Sequence, residues 1–308
     1  MSKSIYFSNG KLLLSGEYMV LNGAKALSVP TTKGQTMTVE QFAGSGNIHW
    51  LARDYNGKIW LNISFILQDN YLIPVHVGNY NEQVKLLNKI LNHTLLRNAE
   101  LIKSDFDYEI TTNLQFPNDW GLGSSSTLIS NLSKWAKIDA FDLLFNTLEG
   151  SGYDVATALE QKPVIYNLLP DKKPEWKSVL FNPSFRENLY FVHLNQKQYS
   201  EIEVSKYLKN KAWKKEDIER ISEITCEIIK CNDLGYFEEL INEHERIISK
   251  VLGVLTIKEK LFADYKGNIK SLGAWGGDFV LATRSNALSY FVSKGFNTIL
   301  TWDEMVLR

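Results

Sequence analysis

A chain of 308 residues, 44% hydrophobic and 22% charged, has ample core material for a globular protein, and its length suits two domains of about 150 residues each. Thirty-four basic residues against thirty-five acidic ones leave a formal net charge of −1, which gives no electrostatic reason to expect nucleic acid or an anionic membrane as partner. No apolar run approaches the roughly 18 residues that span a bilayer, and the opening MSKSIYFSNG lacks the apolar core of a signal peptide. Cys226 and Cys231 have neither Cys-x-x-Cys spacing nor a nearby histidine cluster, which argues against a metal or redox site. The expectation is a soluble, cytoplasmic protein.

Residues 5–7 and 11–14 are short apolar runs separated by Ser8-Asn9-Gly10, and Asn-Gly between two such runs predicts a hairpin. Ser15-Gly16-Glu17 interrupts the pattern, and residues 18–21 resume it before Asn22-Gly23. Strands are predicted over 26–29, 36–41, 48–51 and 58–64, so the first 65 residues read as a β-rich region. From 79 to 96 the period changes, with Val84, Leu87, Leu91 and Leu95 recurring at helical spacing. A strand over 108–112 leads through FPNDWGLGSSST (116–127) into a helix over 125–137, carried by Leu128, Ile129, Leu132, Trp135 and Ala136. A helix over 140–148, a strand over 164–167 and a surface loop over 170–174 follow. The apolar pattern lapses at Asn182-Pro-Ser-Phe-Arg186, which predicts domains at 1–185 and 186–308. Beyond it come a strand (189–194), two long helices (213–231, 235–252), a glycine turn (271–277), a strand (279–283), a helix (287–294) and a strand (298–300). That order predicts a small α+β second domain.

The glycines and serines of 116–127 thus fall on a strand-to-helix turn. Gly121 and Gly123 lack a Cβ, which lets backbone approach a ligand closely. The serines then open a helix whose free N–H groups favour an anion such as phosphate. No Gly-Lys-Ser/Thr follows, so this is not a Walker A loop, and a capped helix after a tight turn is the plain alternative. Three other stretches stand out: NGKLLLSGE (9–17), EGSGYDVAT (149–157) and LGAWGGD (272–278). Each has a plain reading of its own as hairpin, loop or turn. Lys11 alone is a solvated strand-end lysine, and Asp154 alone a helix N-cap.

In this order the four stretches resemble the family of galactokinase, homoserine kinase, mevalonate kinase and phosphomevalonate kinase (the GHMP kinases). GKLLLSGEY (10–18) is similar to the first motif, particularly its phosphomevalonate kinase form. PNDWGLGSSS (117–126) is similar to the phosphate-binding second motif, and GAWGG (273–277) to the third. GYDVA (152–156) is similar to the catalytic-aspartate segment, which a bacterial branch carries as Gly-Tyr-Asp-Ile-Ala. The resemblance spans residues 10–283 and implies an α+β fold. Its N-terminal domain would be ribosomal protein S5 domain 2-like and its C-terminal domain ferredoxin-like.

The implied activity is an ATP-dependent, magnesium-assisted phosphoryl transfer to a hydroxyl or phosphate of a small, mevalonate- or phosphomevalonate-like acceptor. Implied around the nucleotide are Pro117, Trp120, Gly121, Leu122, Gly123, Ser124, Ser125 and Ser126, with Gly273, Gly276 and Gly277 approaching by backbone. Asp154 faces the acceptor hydroxyl as base or orienter, and Lys11 pairs with it and stabilises the moving charge. Ser125 is implied as a magnesium ligand. The family's second ligand, a glutamate, has no clear match here, and Glu149 and Asp142 are the candidates. Glu17, Tyr18, Ser151 and Gly152 fall where relatives line the acceptor pocket, and Tyr18 stands where mevalonate kinases usually carry His. Two departures bear on that pocket: Glu160-Gln161-Lys162-Pro163 replaces a glycine pair, and Trp275 and Asp278 replace small residues. Two other readings stand beside the kinase: a decarboxylase of the diphosphomevalonate type, and a nucleotide-binding sensor without turnover. A monomer or homodimer is expected.

Overall fold

The computed structural model describes residues 2–75, 81–196, 200–210, 212–273, 275 and 277–308. They form two units, each drawn from separate stretches of chain. The first takes Met1–Gly10, Lys33–Asn118 and Gly123–Leu159; the second takes Lys11–Thr32, Asp119–Leu122 and Glu160–Arg308.

Strand β1 (Ser2–Ser15) contributes its first part to the first unit and β2 (Ala26–Ala43) its second part. The hairpin predicted at Ser8-Asn9-Gly10 is absent, and β1 runs straight through. Burial decides this: Ser8 Oγ lies 2.8 Å from both Ser130 Oγ and Asn131 Oδ1. Gly34 packs so tightly on the same stretch that a Cβ would sit 2.3 Å from the Ser8 carbonyl oxygen. β2 is likewise one strand where two are predicted. β3 (Asn47–Arg53), β4 (Ile59–Gln68) and β5 (Tyr71–Val75) form an antiparallel meander, of which the sequence missed the last strand. β3 pairs in parallel with β6 (Phe106–Leu114), and β6 pairs antiparallel with β2 from Gln35↔Leu114 to Ala43↔Phe106. Alternate residues are buried along these strands, among them Ile48, Trp50, Ile63, Phe65 and Ile110. The helices α1 (Glu82–Arg97), α2 (Ser124–Ala136), α3 (Ala140–Thr147) and α4 (Tyr153–Glu160) complete the unit, each with an apolar stripe. Asn81 caps α1 by accepting the Val84 N–H at 3.0 Å; the earlier start predicted at 79 lies outside the described residues.

In the second unit β7 (Val164–Leu169) pairs antiparallel with residues 26–28 of β2 and with β8 (Lys173–Ser178). A loop is predicted over 170–174, yet the chain makes a one-turn 3-10 segment, Pro170–Lys172, and returns as β8. Exposed Lys173, Glu175, Lys177 and Ser178 leave β8 without apolar alternation, so it is silent in sequence. β9 (Leu189–His193), β10 (Ile269–Ser271), β11 (Phe279–Thr283) and β12 (Ile299–Thr301) form an antiparallel sheet in the order β10-β11-β9-β12. Between β9 and β10 lie α5 (Ser200–Asn210), α6 (Lys215–Lys230), α7 (Leu234–Leu252) and α8 (Ile257–Leu261). α9 (Ala287–Ser293) links β11 to β12, and α10 (Trp302–Met305) follows. This β-α-β-β-α-β progression with a four-stranded antiparallel sheet is the ferredoxin-like arrangement expected. Its core includes Val192, Leu194, Phe262, Tyr265, Val280 and Phe291. Among the described residues no helix is long and apolar enough to cross a membrane.

Candidate active site

The first motif enters along β1. Lys11 is buried rather than solvated. Its Nζ donates to the Gly121 carbonyl at 3.0 Å, and its backbone N–H donates to the Leu122 carbonyl at 2.9 Å. Strand β1 and the turn at Gly121 and Leu122 are therefore stitched together. Gly16 (φ +90°) leaves no room for a side chain, since a Cβ would sit 2.8 Å from Ala26 Cα and from the Lys25 carbonyl oxygen.

The residues after Gly16 are buried within the second unit. Glu17, His244, Glu245 and Lys270 form a sealed cluster in which none is more than 3% exposed. Lys270 Nζ donates to Glu17 Oε1 at 2.5 Å and to the Ser271 carbonyl at 2.9 Å, and stands 3.7 Å from Glu245 Oε1. The Gly16 N–H lies against His244 Nε2 at 3.0 Å, and Glu17 Oε2 stands 3.1 Å from the same nitrogen; burial, the larger influence, favours the neutral ring. Burial pushes the His244 pKa down and the Glu245 carboxyl up to about 7. Burial opposes ionisation of Glu17 as well, yet the Lys270 ammonium against it holds its carboxyl below the usual range. Glu17 is thus enclosed by protein groups. Tyr18 follows with a positive φ (+59°), buried, and its hydroxyl accepts the Trp275 backbone N–H at 3.1 Å. First and third motifs meet there. Gly273 has φ +65°, Gly277 is buried, and Gly276 lies outside the described residues.

Sequence reasoning passed over His244, Glu245 and Lys270. For the first two a signal was present. The stripe of Phe237, Leu240, Ile241, Ile248 and Val251 along α7 runs through positions 244 and 245, so ionisable groups there had to be buried.

The second-motif turn has the geometry an anion needs. Gly121 (φ +65°) and Gly123 (φ +85°) are both left-handed, and Gly123 is the N-cap of α2. No side chain caps that helix and its first turn holds no acid. The first intrahelical bond runs from Thr127 N–H to the Gly123 carbonyl at 3.0 Å, leaving the amides of 124–126 without helical acceptors. Ser126 and Thr127 turn their hydroxyls back onto the Gly123 and Ser124 carbonyls. Ser125 is exposed. Leu122 is buried, Pro117 half-buried, and Trp120 packs edge-on against Phe279 with ring centroids 5.2 Å apart. Gly121 differs from the sequence expectation in one respect. The face its missing side chain leaves open is taken by the Asp278 carboxylate, 2.4 Å from where a Cβ would sit.

Asp154 lies in the first unit as the second residue of α4, half-buried, with Oδ1 accepting the Val155 N–H at 3.0 Å. It is inside the helix rather than at its N-cap. Gly152 (φ +92°) and buried Ser151 precede it, and Glu149 is exposed. Asp142 is committed elsewhere: Arg97 grips both carboxylate oxygens, at 2.6 and 2.7 Å, and His93 Nε2 is 2.9 Å away. That pairing ties α1 to α3 and holds the Asp142 carboxyl below its usual range. Among the described residues no group of three or more His, Cys, Asp or Glu could hold a metal ion.

No protein-family model matches the sequence, and no curated protein matches it at a significant level. Solved structures do match over nearly the whole length. The mevalonate kinase of Methanococcus jannaschii superposes with a TM-score of 0.66 at 18% identity, over 97% of each chain. A second mevalonate kinase gives 0.69 at 17% identity, over 99% of this chain and 100% of that one. The phosphomevalonate kinase of Streptococcus pneumoniae, solved with phosphomevalonate and AMPPNP, gives 0.65 at 16%, over 97% and 99%. The chain has the fold of the GHMP kinases. Within one unit of this chain, Lys11 contacts Gly121 and Leu122, and Tyr18 contacts Trp275.

Proposed function

We propose that the chain is an ATP-dependent phosphotransferase of the GHMP kinase family, with domains at 1–185 and 186–308. It would move the γ-phosphoryl group to a hydroxyl or phosphate of a small mevalonate- or phosphomevalonate-like metabolite. One arrangement carries this reading: a lysine seated on the Gly121 carbonyl, in a turn that opens directly into a helix with uncapped first-turn amides. The Streptococcus neighbour, whose bound molecules are a phosphorylated acceptor and an ATP analogue, supports it by likeness of fold.

Each residue then has a task. The amides of Ser124, Ser125 and Ser126 bind phosphate oxygens, and the left-handed glycines keep the turn narrow. The Lys11 ammonium stabilises charge on the transferred group. Asp154 takes the acceptor hydroxyl proton or orients the hydroxyl for in-line attack. Gly273 and Gly277 approach the phosphates by backbone, and Tyr18 lines the acceptor side. Ser125 Oγ and the Glu149 carboxylate, both exposed oxygen donors of the kind magnesium takes, would hold that ion. Magnesium, when bound, neutralises charge on the phosphate oxygens.

ADP release, followed over mevalonate, phosphomevalonate, homoserine and sugars, tests the proposal. Asp154→Asn is expected to lower turnover by about 10²–10⁴-fold while ATP binding persists; an equally active variant removes Asp154 from its role. A second reading, a nucleotide-binding protein without turnover, is favoured by the engagement of Asp142 with Arg97 and His93, which leaves Glu149 as the remaining candidate carboxylate. ATP binding by calorimetry with no turnover on any acceptor would establish it.

A further inference from the structure

We propose that the second unit holds a second small-molecule site, a cavity bounded by β7, β8 and α6 that takes a planar organic anion carrying a hydrogen-bond donor. The cavity encloses about 740 Å³, within the range of roughly 300–1,000 Å³ typical of small-ligand sites. Its lining comes from β7, β8, the last turns of α6 and Lys25 just before β2, all of which belong to the second unit. None of these residues lies in the four glycine-bearing stretches, so the inference does not depend on the nucleotide reading.

Ile165, Pro174, Val179 and Ile229 give the cavity apolar walls, and Trp176 adds an aromatic one. Glu160 holds the indole in place: its Oε1 accepts the Trp176 Nε1–H at 3.0 Å and its Oε2 accepts the Ser178 hydroxyl at 2.8 Å. With its one donor used, Trp176 contributes π surface to the wall, which suits a flat ring. Asn167 supplies the polar feature. It lines the cavity, and its Oδ1 is buried with no hydrogen-bond partner among the described residues, a state that a ligand donor would relieve. Charge sets the sign of the ligand. Lys25, Lys177 and Lys230 stand around the cavity against one carboxylate, Glu175. Among the described residues none of these four side chains makes an ion pair, and Lys25 Nζ has only the Cys226 thiol, at 3.9 Å. Nearby carboxylates are engaged elsewhere. Glu160 has its two donors and the attraction of Lys162, while Glu223 and Glu227 of α6 hold Arg220, which also grips Glu243 of α7. Three cations against one anion favour an anionic group at the rim of an apolar pocket.

The probe is 6-hydroxy-2-naphthoate, set against 2-naphthol, which keeps the ring and hydroxyl and lacks the carboxylate. Calorimetry on the full chain measures binding. Iodoacetamide labelling read by mass spectrometry locates it, because Cys226 lines the cavity and is partly exposed whereas Cys231 is buried. The expected result is one site with a Kd of about 1 mM or lower, slower labelling of Cys226, and 2-naphthol bound about tenfold more weakly. Lys25→Gln and Lys230→Gln, both at exposed positions, should each weaken the anion about fivefold, less so at high salt. Equal affinity for the two probes overturns the proposal, as do lysine variants that bind like the unaltered chain, heat of binding with Cys226 labelling unchanged, or no binding at about 10 mM. Displacement of the anion by AMPPNP would place it in the nucleotide site, which overturns this inference and leaves the nucleotide reading standing.

Discussion

Replacing Glu245 with glutamine should make the protein more stable in alkaline solution and leave it nearly unchanged in acid. The cluster holds one ammonium, Lys270, and two carboxyls, while burial favours the neutral form of His244. Glu17 takes the ammonium at 2.5 Å and Glu245 is left at 3.7 Å, fully enclosed, so burial favours its protonated form. An acid that moves from 4.5 to about 7 on folding stabilises the fold by about 3 kcal/mol more when protonated than when ionised, at about 1.4 kcal/mol per tenfold. The sign follows from proton uptake. Between 4.5 and about 7 the folded state binds more protons than the unfolded one, so this stabilisation is complete below 4.5 and is lost as pH rises through about 7. His244 acts in the opposite direction, because burial depresses its pKa and stability falls as pH drops below 6.5. The profile of the unaltered protein therefore mixes two slopes, and only its difference from E245Q isolates the carboxyl. Urea unfolding at about pH 4 and about pH 8 measures that difference, expected near zero at the first and up to about 3 kcal/mol in favour of E245Q at the second. A gap independent of pH would refute the assignment of a buried, proton-bearing Glu245.

Gly16→Ala should cost about 2 kcal/mol or more, because φ +90° and the backbone of Ala26 at 2.8 Å both oppose a methyl group; thermal unfolding reads this directly. Asp142→Asn should lower stability by about 1 kcal/mol, since the Arg97 and His93 contacts it weakens are partly exposed. A magnesium titration of activity should be unchanged in that variant, and a shifted magnesium requirement would return Asp142 to the list of ligands.

The glycine stretches were legible because their demands are local. Gly16, Gly121 and Gly123 each adopt positive φ, and a turn into an amphipathic helix can be read from a dozen residues. Asn9-Gly10 misled for the same reason. Its hairpin signal is local, whereas the burial that straightens β1 comes from Ser130 and Asn131, more than 120 positions away. Strand β8 failed to register because its residues are mostly exposed and polar, and α5 for want of a strong apolar stripe. At the site, motif positions were readable but their company was not. Nothing near Glu17 in sequence announces Lys270, and nothing near Gly121 announces Asp278. Such pairings are set by the packing of β10, β11 and α7, which no spacing rule reports.

The interleaved make-up of the two units has a consequence for synthesis on the ribosome. The first unit is closed by residues up to 159, so its partners are all available when little more than half the chain has emerged. Residues 11–32 belong to the other unit and must wait. Ser15 meets Thr225 across 210 positions, and Thr31 bridges to Val306. During that interval Gly16, Glu17 and Tyr18 have neither His244 nor Lys270 to hold them. A nascent chain stalled between about 160 and 300 should thus protect the amides of 33–118 from hydrogen exchange well before those of 11–32.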